Sequence, residues 1–257
     1  MKSISTWLDT LRLKWRFGRS QAHTVRVPKW KRERARIHGF QLVEQPAARA
    51  IFFDVAGAEM AAAGFALDRD RRYIRTVSAD IVHLLQLKAF KGMQYGLQCG
   101  VSLSFMPHTW KRRTEWHRTE RSARLDLFRH RSEDHREHDP LSAQHTGVID
   151  GLHGEIALRE DMVAAWLNER ERIFGFFDMV ADIDGVISVA MQQSARTGGL
   201  KHWPPPKLVE AFCLARLGRS VQAESAFEDA VEVHGKIIEP VDRLRAAFKK
   251  VLERGGS

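Results

Sequence analysis

Two cysteines, Cys99 and Cys213, in 257 residues leave no room for a disulfide framework. Neither stands in a CxxC or Cys/His ligand spacing, and both lie in apolar runs far apart in the chain. They are expected as small buried thiols in a reducing compartment, with a bridge between them as the alternative. No run approaches the roughly 18 to 20 consecutive apolar residues that a membrane-spanning helix needs, and the first residues lack the continuous apolar stretch of a secretory signal. A cytoplasmic protein is expected. GxxxxGK followed by Ser or Thr, GxGxxG and GxSxG are all absent, which removes sequence support for a phosphate loop, a dinucleotide fold or a serine elbow. No cofactor is implied.

Hydrophobic residues at 44% and charged residues at 28% are the composition of a chain with a packed core. The net charge of +9 is unevenly spread. Residues 1 to 36 hold eleven Lys or Arg against only Asp9 and Glu33, and the remainder has 30 bases against 30 acids. The body is therefore neutral, and the excess belongs to an amino-terminal attachment. Within it, Ile4, Trp7, Leu8, Leu11 and Trp15 fall at helical spacing among Arg12, Lys14, Arg16 and Arg19, which predicts a basic amphipathic helix. Val27-Pro28 interrupts it, and Lys31 to Arg36 predicts a further short helix before His38-Gly39.

Three segments follow: an arm over 1–46, an α+β domain over 47–197 and a helical module over 198–257. Ala47 to Ala63, with Ile51, Phe52, Val55 and Met60 on one side and Gly64 as its cap, predicts a core-facing helix. The period then changes. Tyr73 to Val77 and Ile81 to Leu87 read as strands about the turn Ser78-Ala79-Asp80. Met93, Tyr95, Leu97, Cys99, Val101, Leu103 and Phe105 alternate with mostly polar residues, predicting a long strand with one buried face. Connections this short imply an antiparallel meander, because a parallel pair needs a long crossover. Leu125, Leu127 and Trp116 are candidates for an edge strand, and Arg129 to Gly154 reads as a long exposed loop. Helical spacing returns from Ala157 to about Val180, and residues 150 to 184 hold nine acids against three bases, which predicts an acidic helical surface.

Gly198-Gly199 and Pro204-Pro205-Pro206 read as a linker to three helices, Lys207 to Leu217, Ser220 to His234 and Val241 to Glu253. Ala211, Leu214, Ala223, Phe227 and Ala230 fall at the spacings of one helical hairpin that resembles the tetratricopeptide repeat, with Gly235 near the place of that unit's usual proline. A lone hairpin cannot bury its own apolar face, so it is expected to dock on the main domain, another copy or a partner.

Three sets of residues invite chemistry. His135, His138 and Asp139, in a loop that also holds His130, His145 and His153, offer imidazoles and a carboxylate to a divalent metal, although the spacing matches neither HExxH nor a finger. Asp182-Ile-Asp184-Gly185 is not a calcium loop, since Val180 and Met191 stand where acidic ligands are required. Asp80 with Gln86-Leu87-Lys88 is similar to the acidic strand of a magnesium-dependent nuclease superfamily, but a neutral amide replaces a carboxylate ligand. The arm is the stronger lead. Arg12, Lys14, Trp15, Arg16, Lys29, Trp30, Lys31, Arg32, Arg34 and Arg36 interleave bases with indoles, a pattern that neutralises phosphates and stacks on unpaired bases. The same residues suit an anionic membrane surface or an acidic protein, or an ordinary solvated face whose tryptophans pack inward.

Residues 48 to about 180 resemble a bacterial family of domains of unknown function, through Phe52, Gly64-Phe65, Tyr73-Ile-Arg75, Leu85-Gln86 and the strand through Leu97 and Gly100. The resemblance implies a compact α+β domain and brings no activity. The resulting expectation is a non-catalytic interaction protein with a protein partner, of which toxin immunity is one version. Nucleic-acid binding through the arm and metal-dependent hydrolysis are the alternatives.

Overall fold

The computed structural model describes residues 29–68, 72–90, 94–110, 113–115, 119, 122–129, 149–195, 204–234 and 241–255. It is an α+β fold, an antiparallel six-stranded sheet covered by helices. The described helices are α1 (Lys29–Ile37), α2 (Gln45–Ala62), α3 (Gly154–Met179), α4 (Ile183–Ser194), α5 (Pro206–Arg216), α6 (Ser220–His234) and α7 (Val241–Arg254). The strands are β1 (Ala66–Leu67), β2 (Tyr73–Thr76), β3 (Ile81–Phe90), β4 (Gln94–Leu103), β5 (His108–Trp110), β6 (Arg113–Glu115), β7 (Leu127–Phe128) and β8 (Ile149–Asp150). The expected meander is present in the order β1-β2-β3-β4-β7, β8 also pairs with β4, and β5 with β6 forms a separate ribbon. No helix among the described residues is long and apolar enough to cross a membrane. Both cysteines are free and buried.

Two compact units divide the described residues. The first takes those of Met1–Ala66, Leu85–Gln98 and His130–Arg172, the second those of Leu67–Leu84, Cys99–Arg129 and Ile173–Ser257. In the first unit, α2 starts at Gln45-Pro46, where proline's fixed φ suits the first helical turn. It buries Ala48, Ile51, Phe52, Ala56 and Met60 and ends before Gly64, whose φ of 80° only glycine adopts without strain. Val55, expected on the buried side, is half-exposed. Tyr95 donates its hydroxyl to the Val43 carbonyl at 2.8 Å, and Gln86 donates to Gln98 across the sheet at 2.9 Å. Arg159 pairs with Asp54, and Arg170 with Glu59, so two of the three bases in the acidic 150–184 region are held by α2.

In the second unit the predicted one-sided burial of β4 gives way to burial on both faces, since Gly100 and Ser102 are as covered as Cys99, Val101 and Leu103. The cause is β7. It pairs Gly100 with Phe128 and Val101 with Leu127, Ser102 Oγ accepts from the Arg124 amide at 3.1 Å, and the Leu103 amide donates to buried Asp126 at 2.8 Å. A Cβ at position 100 would run into the Leu127 carbonyl oxygen and come within 2.8 Å of Phe128 Cα, both backbone atoms that cannot rotate away. Gly100→Ala is therefore expected to destabilise the protein by about 2 kcal/mol, read as a lowered denaturant midpoint at unchanged slope. An unshifted midpoint would disprove the close approach.

The unit's helices pack around α5, which contacts α4, α6 and α7. Phe212 of α5 meets Phe227 and Phe248 edge-on at 6.4 and 5.4 Å, and those two rings stack at 4.4 Å. The predicted tail helices thus fill their apolar faces with one another and with α4. Asp182 caps α4, accepting from the Gly185 amide at 2.7 Å, which is the physical use of the Asp-Ile-Asp-Gly run. His83 lies fully buried against Phe177 at 4.8 Å. Arg75 Nη2 stands 3.1 Å from its Nδ1, and the Val180 carbonyl 3.1 Å from its Nε2. A guanidinium only donates and a carbonyl only accepts, so Nε2 carries the proton of a neutral ring.

Candidate functional site

The sequence candidates scatter. Arg12, Lys14, Trp15, Arg16, His135, His138 and Asp139 lie outside the described residues, as do the amphipathic helix over 4–17, most of the long loop and Gly198-Gly199. Lys29, Trp30, Lys31, Arg32, Arg34 and Arg36 all lie on α1. Lys29, Trp30, Arg32 and Arg36 are exposed, and Arg32 is paired with Glu44 at 3.3 Å. The nuclease-like set is committed elsewhere. Asp80 accepts from Ser104 Oγ at 2.8 Å and from Arg216 Nε at 2.9 Å, and Gln86 bonds Gln98, so neither offers a bare ligand to a metal. Among the described residues no group of three or more His, Cys, Asp or Glu is placed to hold a metal ion.

A groove of about 540 Å³ that the sequence did not announce lies within the second unit, where the end of α4, the start of α5 and the end of α6 converge. Antiparallel packing of α5 on α6 brings the first turn of one beside the last turn of the other. Pro205 and Pro206 begin α5, and both are buried. Lys207, one turn before Glu210, bonds its Oε1 at 3.1 Å and reaches Asp229 of α6 at 3.7 Å. One lysine thus serves two carboxylates, and Glu232 on the same wall adds a third. Met191 and Val233, 53% and 74% exposed, supply apolar surface beside them.

Two lining side chains are incomplete. Gln193, 3% exposed, donates Nε2 to the Phe128 carbonyl at 3.0 Å, which fixes its amide orientation, and its buried Oε1 has no hydrogen-bond partner among the described residues. Glu210, 5% exposed, accepts from Lys207 through Oε1, while its Oε2 is likewise buried with no hydrogen-bond partner among the described residues. A buried acceptor without a donor costs about 1 to 3 kcal/mol, and more when charged. Such groups call for an explanation in function or bound solvent. Burial pushes the Cys213 thiol of the same helix well above its ordinary range, which makes it an inert core group.

The one sequence trace of this groove was Glu210 itself, a carboxylate inside the otherwise apolar run Leu208-Val209-Glu210-Ala211-Phe212-Cys213. By fold the chain is α+β; none of the protein-family models, curated proteins or solved structures compared with it matches. The geometry of the groove must carry the functional reading unaided.

Proposed function

We propose that this chain is a non-catalytic interaction protein that binds a protein partner, and that the α4–α5–α6 groove is the contact. The supporting observation is the groove's described lining, in which the exposed apolar side chains of Met191 and Val233 stand beside the polar groups of Lys207, Asp229 and Glu232. A surface with an apolar patch beside convergent polar atoms is complementary to a partner rather than to bulk water.

The test is quantitative capture from a cell extract by the immobilised full chain, by Met191→Asp/Val233→Asp and by Lys29→Glu/Arg36→Glu. A protein retained by the wild type and the α1 variant, resistant to nuclease and lost with the groove variant, is the expected result. Both substituted sets are exposed, so folding should survive. The second reading, nucleic-acid binding through the basic arm, is supported by the exposed Lys29, Trp30, Arg32 and Arg36 of α1. It predicts the opposite outcome, nuclease-sensitive and salt-sensitive retention lost only with the α1 variant.

A further inference from the structure

We infer that an exposed apolar stripe on α3, in the first unit, is the seat of this chain's own amino-terminal segment, the basic amphipathic helix expected over residues 4–17. Ile156, Val163 and Leu167 recur at intervals of seven and four, which sets them on one face of α3, and all three are exposed, Ile156 at 80%. Each base of α3 is held by a carboxylate, Arg159 by Asp54, Arg170 by Glu59 and Arg172 by Glu169. Glu160 and Glu171, one turn beyond Ile156 and Leu167, are exposed and form no ion pair among the described residues. The face thus joins apolar surface to uncompensated negative charge.

The arm is its complement. Ile4, Leu8 and Trp15 show the same two intervals in reverse order, as an antiparallel neighbour of the stripe must, and Arg12, Lys14, Arg16 and Arg19 accompany them. Of the stretches outside the described residues, this one alone places three large apolar side chains at those intervals. Reach is sufficient. Residues 18 to 28 join the arm to α1 and can span about 36 Å. The nine residues of α1 add a length of only about 13 Å. The segment after α1 is fastened to the start of α3, with the Gln41 amide donating to the Leu152 carbonyl at 2.8 Å and the Gly154 amide to the Gln41 carbonyl at 2.9 Å. An antiparallel lay returns the tethered end of the arm to that same place. A second copy is the poorer occupant, because it would bring like carboxylates together. A stable dimer also buries about 800 Å² per partner, more than three partly exposed side chains supply. A tethered arm needs less, since its effective concentration is on the order of millimolar.

Hydrogen exchange of the full chain, read by mass spectrometry, is the test. A helix this short is marginal in water by itself, so lasting protection of its amides requires docking. Amides of residues 4–17 should be protected about tenfold in the wild type and unprotected in Val163→Asp/Leu167→Asp, with α2 amides unchanged as the check on folding. The protection should not vary with protein concentration. Its absence in the wild type overturns the inference, as does its persistence in the α3 variant. Protection that rises with concentration assigns the stripe to another copy's arm and overturns it equally. If the α3 variant does not fold, Leu8→Asp/Trp15→Asp decides: hydroxyl-radical labelling of residues 155–170 should rise, and unchanged labelling overturns the inference.

Discussion

Phe212→Ala should lower the unfolding free energy by about 4 kcal/mol, the largest effect of any single truncation in the carboxy-terminal helices. Phe212 is fully buried and holds together the three-ring cluster with Phe227 and Phe248. Deleting the ring removes apolar area from burial and leaves a void between helices that side chains in their rotamer wells cannot close. Phe212→Leu, which refills part of that space, should cost about 1 to 2 kcal/mol. Denaturant titration followed by circular dichroism and by tryptophan fluorescence would measure both variants and show whether the two probes move together. A loss below about 1 kcal/mol for the alanine variant would mean that the helices pack on one another less tightly than their ring contacts describe.

Acidification should remove a second large increment through His83. Burial against Phe177 pushes its imidazole from 6.5 down to about 4; the Arg75 charge also disfavours protonation, while the Val180 carbonyl and Asp178 oppose the shift. The unfolded chain therefore binds this proton at a higher pH than the folded one. The neutral ring's contribution is complete above pH 6.5 and declines as pH falls toward 4, by up to about 3 kcal/mol across that window. His83→Gln, which has nothing to titrate there, should show a flatter stability profile between pH 6.5 and 4 than the wild type. Parallel profiles would exclude His83 as the source. Carboxylates with ordinary values near 3.9 and 4.3 begin to titrate at the lower end of this window, but they are common to both proteins, so the difference between the two profiles isolates the imidazole.

Wherever period and punctuation agreed, the sequence could be read. Pro46 and Gly64 bracket α2, Gly218 with φ of 72° separates α5 from α6, and the short turn at Ser78-Ala79-Asp80 turns β2 into β3. The helix α4 was missed because Asp182-Ile-Asp184-Gly185 reads as a loop motif, although its first aspartate is a helix cap. Strands of two or three residues, such as β1, β7 and β8, carry no measurable alternation. The double burial of β4 was hidden for a related reason: alternation reports one face, whereas Gly100 and Ser102 are small enough to be overlaid by a neighbouring segment. The groove was illegible because Gln193, Glu210 and Asp229 come from three helix ends. Only tertiary packing makes neighbours of residues that far apart in sequence, and a helical period says nothing about what lies beyond its own terminus.

The Asp80–Arg216 ion pair has a mechanical consequence for the groove. It fastens the last turn of α5 to the β2–β3 turn, which Asp80 also ties to Ser104. Glu210 lies six residues back along the same helix, about 9 Å toward its other end. The helix is thus a short rod held at its last turn, with Glu210 in its middle. The α5 wall of the groove is thereby held from its far end, through residues that are not part of its described lining.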